Sequence, residues 1–179
     1  MGLLAGPVAD AQLTKQPSHW LGLLIRLILG FVLLVAGAIK IGNLAGNVAS
    51  VEAYRLPLPH ILEQLIGWTQ PFLEIAVGLL LIIGLFTRVM AALGWLAMAV
   101  FIFGITWAWA NGLDINCGCF SPGGAMPDGQ EAKYLGHIIL DGLLAIAGFY
   151  LMIRPAGVLA VDNWLLADIT IDDDTEFKD

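Results

Sequence analysis

Four long apolar runs constrain this chain more than any other feature of its sequence. Two are unbroken: residues 20–39, WLGLLIRLILGFVLLVAGAI, and residues 89–110, VMAALGWLAMAVFIFGITWAWA. In chain order, the second run extends over about 64–86 and contains Pro71, and the fourth covers 135–153. A helix rises about 1.5 Å per residue, so roughly 20 apolar residues cross the hydrocarbon of a bilayer. We therefore expect an all-α integral membrane protein, a bundle of four membrane-spanning helices with a kink at the proline.

The composition agrees with a membrane protein and leaves no room for a separate soluble catalytic domain. Hydrophobic residues make up 59% of the 179 residues and charged residues 13%, whereas charged residues are about a quarter of a soluble domain. The sequence divides into an N-terminal segment (1–19), a four-helix transmembrane domain (20–155) and an acidic tail (156–179). The first segment lacks the pattern of a cleaved signal peptide. Most of the net charge of −7 lies in the tail, and we find no nucleic-acid-binding signature.

Four crossings return the chain to the face on which it starts. Both termini then share one face, and the connection at 111–134 lies on the other. The Lys and Arg residues that flank the spans divide evenly between the faces, and Arg26 tips the balance toward cytoplasmic termini. We expect a multi-pass protein of a bacterial-type inner membrane, with residues 111–134 in the periplasm or outside the cell, where a disulfide can persist.

Ionisable residues inside the predicted spans are the first candidates for a functional site. An unpaired charge at the centre of a span costs about 3 kcal/mol by insertion scales, so such residues should face the bundle interior. Arg26 lies in the first span and Glu74 near the middle of the second, several ångströms deeper. They form either a structural ion pair or a polar wall for a quinone head group or a proton path.

His137 and Asp141 share one face of the fourth span, because they are four residues apart on a helix. They should lie about one turn below the membrane surface, on the side of the 111–134 loop. Three interpretations stay open: a hydrated polar helix end, a carboxylate-held imidazole that takes a proton from a thiol, or metal ligation together with the two cysteines.

Both cysteines of the chain, Cys117 and Cys119, lie in NGLDINCGCFSPGG, residues 111–124. A disulfide between them would close a very small loop and stabilise the fold by only about 1.6 kcal/mol before strain is subtracted. Strain would make the bond easy to reduce, which suits thiol–disulfide exchange better than structural support. Inert reduced thiols remain the alternative.

Three stretches of the chain carry a resemblance to a known membrane protein family. Residues 26–41 (RLILGFVLLVAGAIKI), 70–88 (QPFLEIAVGLLLIIGLFTR) and 116–122 (NCGCFSP) are similar to the DoxX-like membrane proteins and, within them, to the MauE branch. The resemblance covers about residues 20–155. It implies a four-helix membrane protein that supports redox maturation, including disulfide handling for methylamine dehydrogenase. The wider DoxX relatives imply oxidation of sulfur compounds with quinone as the acceptor.

These observations predict a membrane thiol–disulfide redox protein. It would pass electrons between an extracytoplasmic dithiol partner, such as a thioredoxin-like protein, and a second carrier, for which quinone is the candidate. The predicted site residues are Cys117, Cys119, His137 and Asp141 for exchange and Arg26 and Glu74 for carrier binding, and no metal is assigned. Two other classes stay open: a non-catalytic subunit of a larger respiratory or redox complex, and a proton or small-molecule carrier.

Overall fold

The computed structural model of the protein describes residues 17–113, 115–116, 124–125, 134–154 and 160–162. Within them the chain forms five helices and one pair of very short strands. The helices are α1 (Pro17–Ile41), α2 (Leu44–Ala53), α3 (His60–Ile83), α4 (Thr87–Ala110) and α5 (Tyr134–Ile153), and the strands are β1 (Ile115–Asn116) and β2 (Gly124–Ala125). Four of the helices, all except α2, are long and apolar enough to cross a membrane. The protein is a multi-pass, four-helix membrane bundle, as the apolar runs predict.

The bounds of the spanning helices differ from the predicted ones by a few residues, most of all in the second span. The sequence places that span over 64–86, and α3 instead covers His60–Ile83. It ends at Gly84, whose φ of 78° is a left-handed conformation that glycine adopts without strain. The short helix α2 was not predicted. It begins after Asn43, whose Oδ1 accepts a hydrogen bond of 2.9 Å from the Gly46 amide.

The bundle is built from two closely packed helix pairs, α1 with α3 and α4 with α5, while the consecutive helices α3 and α4 pack less extensively. Glycines let α1 and α3 approach closely. A Cβ built at Gly30 would lie 2.8 Å from the carbonyl oxygen of Gly78, and one built at Gly37 would lie 2.7 Å from that of Pro71. The apolar core lies between the pairs and includes Leu33 of α1.

The helix α3 continues through Pro71 because a neighbouring helix supplies the missing hydrogen bond. Proline has no N–H, so the carbonyl of Gly67, four residues earlier, loses its partner in the helix. The side-chain amide of Asn47 in α2 donates to this oxygen at 2.7 Å, and Asn47 itself is buried. The short helix thus completes the backbone hydrogen bonding of α3, as backbone groups inside a membrane require.

The turn from α3 to α4 is held by Asp162, which follows the last spanning helix. Phe86 precedes α4 and offers no capping side chain of its own. Instead, the two carboxylate oxygens of Asp162 accept hydrogen bonds of 2.7 Å each from the amides of Phe86 and Thr87. Its own amide donates to the carbonyl of Gly84 at 3.0 Å. A residue from the region predicted as an acidic tail therefore caps a membrane-spanning helix.

At the opposite end of the bundle, β1 and β2 pair antiparallel, with Ile115 opposite Ala125. Tyr134, the first residue of α5, donates its hydroxyl proton to the carbonyl of Leu113 and accepts from the Ile115 amide at 3.1 Å. Ile115 is also buried in a small apolar cluster that Tyr54, the C-cap of α2, packs against. The strand that precedes Cys117 is thus anchored to α2 and to the start of α5.

Candidate functional site

Lys40 and Glu74 form a buried ion pair between α1 and α3. Lys40 Nζ lies 2.5 Å from Glu74 Oε1, and the two side chains are 4% and 3% exposed. Gln70, one turn earlier on α3, donates its amide to the same Oε1 at 3.0 Å. The Lys40 ammonium also lies over the ring of Phe101 in α4, 4.9 Å from its centroid, an attractive geometry for a cation. Lys40 is therefore held by residues of α3 and α4.

Asp141 of α5 adds a second buried carboxylate to this pair. It is 3% exposed and lines a small cavity together with Lys40 and Phe101. Among the residues that the structure describes, Glu74 Oε2 and Asp141 Oδ2 have no hydrogen-bond partner. We call Lys40, Glu74 and Asp141 the mid-bundle cluster: one ammonium faces two carboxylates, and each carboxylate keeps an oxygen able to accept a further hydrogen bond.

Lys40 is the site residue that the sequence interpretation missed, since it was counted among the charges of the connection after the first span. The helix spacing carries the missing signal. Arg26, Gly30, Leu33, Gly37 and Lys40 follow one another at intervals of three or four residues, so they share one face of α1. That face carries the glycines that contact α3, and it places Lys40 in the interface.

Arg26 lies in a different part of the bundle from Glu74. It is 1% exposed, and its Nη1 occupies the space that a Cβ at Gly84 would need, which brings it to the α3–α4 turn. Asp162 lies at the same turn, because its amide donates to the Gly84 carbonyl at 3.0 Å. We call Arg26, Gly84 and Asp162 the terminal-face cluster. Glu74 is bonded instead to Lys40 and Gln70, so the two predicted carrier-binding residues belong to separate clusters.

Two larger cavities also border the mid-bundle cluster. The larger, about 330 Å³, lies between α3 and α4 and has Gln70 and Glu74 in its wall. The smaller, about 130 Å³, lies beneath α2, and its wall includes Lys40, Asn47 and Tyr54. Both cavities are lined by Ile66, Gln70, Val100 and Phe101, so they share one wall.

The larger cavity suits the head group of a quinone, the carrier predicted from the sequence. Ligand cavities of about 300–1,000 Å³ are typically apolar with a few placed polar groups, and this wall is apolar apart from Thr69, Gln70 and Glu74. Its rim includes Leu73 and Val100, which are exposed on spanning helices and would face lipid. A lipid-soluble molecule could therefore enter sideways. Arg26 does not line either cavity.

Of the four residues predicted for thiol exchange, the structure describes two. His137 is half-buried on the first turns of α5, and Asp141 is buried one turn deeper. Cys117 and Cys119 lie outside the described residues, as do the segments 1–16 and 163–179. Within the described ranges, no three His, Cys, Asp or Glu residues are grouped as metal ligands. A metal site that includes both cysteines lies partly outside these ranges and stays a prediction.

Comparison with known proteins identifies a family. The model of the family described as methylamine utilisation protein MauE matches residues 18–154. Neither the curated proteins nor the solved structures contain a significant match to the chain. The matched range covers the five helices except for Pro17 at the start of α1, together with the two strands and the mid-bundle cluster. The chain therefore belongs to the MauE family of methylamine utilisation membrane proteins.

Proposed function

We propose that this protein is a membrane thiol–disulfide redox protein, in which Cys117 and Cys119 exchange electrons with an extracytoplasmic dithiol partner. A thioredoxin-like protein is the kind of partner that this chemistry suits. The exchange would support maturation of a partner enzyme, in keeping with a family described by methylamine utilisation. The observation that carries the proposal is the anchored strand pair: β1 and β2 flank the segment 117–123, which contains both cysteines.

Contacts of β1 support a link between the cysteine segment and the buried cluster. Ile115 packs in the apolar cluster that Tyr54 contacts. Tyr54 in turn lines the smaller cavity, whose wall also includes Lys40. One side chain thus lies between the strand before Cys117 and the cavity that reaches the mid-bundle cluster.

In the exchange, a partner thiolate attacks one sulfur of the Cys117–Cys119 disulfide and forms a mixed disulfide. The second partner thiolate attacks the partner's sulfur in that bond, which leaves the partner oxidised and both cysteines as thiols. Two electrons and two protons have then moved to the pair. His137 is proposed to take protons from the partner thiols and pass them to the cysteines, because it lies one turn after Tyr134, whose hydroxyl is bonded to Leu113 and Ile115.

The second carrier in this proposal is a quinone in the cavity between α3 and α4. A bound quinone would supply an acceptor for the two electrons and two protons that are released when both thiols return to the disulfide. The residues of the chain that would hold its ring are Gln70 and Glu74, and the apolar wall would exclude water from them. Lys40 holds Glu74 in position through the 2.5 Å contact.

Replacement of both cysteines tests the proposal most directly. In proteoliposomes, we expect the Cys117→Ser/Cys119→Ser variant to lose oxidation of a reduced thioredoxin-like dithiol down to the rate of empty liposomes, while the protein still inserts and folds. His60→Gln is the matched control, because His60 is exposed and lies at the same end of the bundle. Unchanged exchange in the double variant would overturn the proposal.

Sidedness is part of the same proposal, which places the termini in the cytoplasm and the cysteine segment outside an inner membrane. A membrane-impermeant thiol reagent should add mass at Cys117 and Cys119 in right-side-out vesicles after reduction, and not in sealed inverted vesicles. Labelling only in inverted vesicles would reverse the orientation and remove the extracytoplasmic partner. A stoichiometric partner that co-purifies with a fully functional double-serine variant would favour the non-catalytic subunit.

A further inference from the structure

The cavity between α3 and α4 offers hydrogen-bond acceptors and few donors. Glu74 Oε1 already accepts from Lys40 and Gln70, while Glu74 Oε2 is buried and has no partner in the part of the chain that the structure describes. The third polar residue of the wall, Thr69, donates its hydroxyl to the Leu65 carbonyl at 2.7 Å. Gln70 uses one amide hydrogen on Glu74, so it keeps one donor hydrogen and its amide oxygen as an acceptor.

The free oxygen of Glu74 is costly to leave without a donor. A buried acceptor that lacks its hydrogen bond costs about 1–3 kcal/mol, and more when it is charged. A hydroxyl group on a bound molecule would satisfy it with a charge-assisted bond. A carbonyl group at the same place would instead bring two acceptors together, which is repulsive.

We propose that the cavity between α3 and α4 selectively binds the reduced, dihydroxy form of a lipid-soluble aromatic carrier, with a ring hydroxyl donating to Glu74. Apolar residues at the rim of the cavity, such as Leu73, Leu96 and Val100, are exposed on spanning helices and would contact the carrier's tail. The inference rests on the proposed function, since it describes the second carrier of that exchange. The inference goes beyond the proposed function because it states which redox form of the carrier the cavity prefers and gives the physical reason.

Selective binding has a thermodynamic consequence for electron flow. When a protein binds the reduced form of a carrier more tightly than the oxidised form, the bound carrier becomes easier to reduce. A tenfold preference corresponds to about 30 mV for a two-electron couple. The site would therefore favour transfer from the cysteine thiols to the carrier over the reverse reaction.

Binding of a matched redox pair tests the inference without any measurement of turnover. A decyl-substituted benzoquinone and its hydroquinone are titrated into the purified full chain in detergent micelles, under anaerobic conditions, with calorimetric detection. We expect the hydroquinone to bind at least tenfold more tightly. Glu74→Gln should reduce the ratio of the two dissociation constants to below threefold, because the side-chain volume is kept while the charged acceptor is lost. Equal affinities in the unaltered protein would overturn the inference.

A second variant locates the site even where Glu74→Gln does not fold. Val100 lines the cavity and is 58% exposed, so Val100→Trp should fill the mouth without disturbing the ion pair. It should weaken both ligands at least tenfold. Leu143→Trp is the control, because Leu143 is 62% exposed on α5 and does not line the cavity. Binding that Val100→Trp leaves unchanged would place the ligand elsewhere and overturn the inference.

The same protein preparations distinguish the proposed thiol–disulfide function from the proposed selective carrier site. Dithiol exchange at Cys117 and Cys119 with no preference between the two ring forms would overturn the selective site alone. Selective hydroquinone binding that depends on Glu74, with no exchange at the cysteines, would overturn the thiol–disulfide function and leave the site without its electron donor.

Discussion

The two charged clusters share helix α1 but differ in how completely their carboxylate oxygens are used. In the terminal-face cluster, both carboxylate oxygens of Asp162 accept backbone hydrogen bonds, and Arg26 lies against the turn that they hold. In the mid-bundle cluster, Glu74 and Asp141 each keep a buried oxygen with no partner among the described residues. Glu74 of the mid-bundle cluster also borders a cavity of ligand size, about 330 Å³.

This difference indicates that buried charge in a membrane bundle has two separate uses. A carboxylate whose oxygens are satisfied by backbone amides fixes a turn, since no acceptor is left for chemistry. A carboxylate with a spare oxygen beside a cavity carries a cost that a ligand can remove. The basic residues do not make this distinction, because Arg26 and Lys40 are both buried.

The largest expected effect on stability comes from removal of Lys40, the positively charged residue of the mid-bundle cluster. Lys40→Met would leave two buried carboxylates without a counter-charge, and loss of one partner of a buried pair costs about 3–5 kcal/mol. We expect the free energy of unfolding, measured by denaturing-detergent titration in micelles, to fall by about that amount. In the double variant Lys40→Met/Glu74→Gln, the free energy of unfolding should fall by less, because one of the two carboxylates is also removed. A fall of under about 1 kcal/mol in Lys40→Met would show that Lys40 and Glu74 do not form a buried ion pair.

A medium effect is expected where α2 supports α3. Asn47→Ala removes the donor for the Gly67 carbonyl and should lower the free energy of unfolding by about 1–3 kcal/mol. Pro71→Ala restores the backbone N–H, so the double variant should be less destabilised than the sum of the two single variants. Strictly additive losses in that double-mutant cycle would show that Asn47 does not compensate for the proline.

A smaller effect is expected at the terminal-face cluster, and it should be confined to stability. Asp162→Ala removes the cap of α4 and should cost about 1 kcal/mol, the usual value for a lost capping residue. Hydroquinone binding should stay within twofold, because Asp162 lies at the α3–α4 turn and lines neither cavity. A tenfold loss of binding in this variant would break the separation between the two clusters.

The smallest effect is expected for charges that are exposed. His60 lies 3.4 Å from Glu52 and 3.6 Å from Glu63, but its side chain is 67% exposed. Exposed ion pairs contribute about 0–1 kcal/mol, so His60→Gln should change the free energy of unfolding by less than about 0.5 kcal/mol. A loss comparable to that of Lys40→Met would mean that burial is not what separates these groups.

Much of the fold could be predicted from the sequence because each spanning helix satisfies its own backbone. Hydrogen bonds within a helix depend only on local residues, so a run of about 20 apolar residues is enough to indicate a span. The short helix α2 escaped prediction for the opposite reason. Its ten residues are marginal as an isolated helix, and it is held by contacts such as Asn47 to Gly67, which join residues distant in sequence.

The site was only partly predictable, since charge partners are chosen in three dimensions. Glu74 and Asp141 are conspicuous in apolar runs, and both are found buried in one cluster. Lys40 directly follows the predicted first span, residues 20–39, so the sequence alone assigns it to the connection after that span. Its partner Glu74 lies 34 residues away in the sequence, on α3. No local sequence pattern predicts a contact between residues so far apart.

The sequence by itself determined the four spans and the presence of charge inside them, because hydropathy and helix spacing are local properties. It also carried the family, through the matched residues 18–154. Only the tertiary structure decided that Glu74 pairs with Lys40, that Asp162 caps α4, and that α3 and α4 stand apart around a cavity. Those outcomes depend on which helix faces meet. In this bundle the close approach of α1 and α3 at Gly30, Gly37 and Gly78 brings Lys40 and Glu74 together in their shared interface.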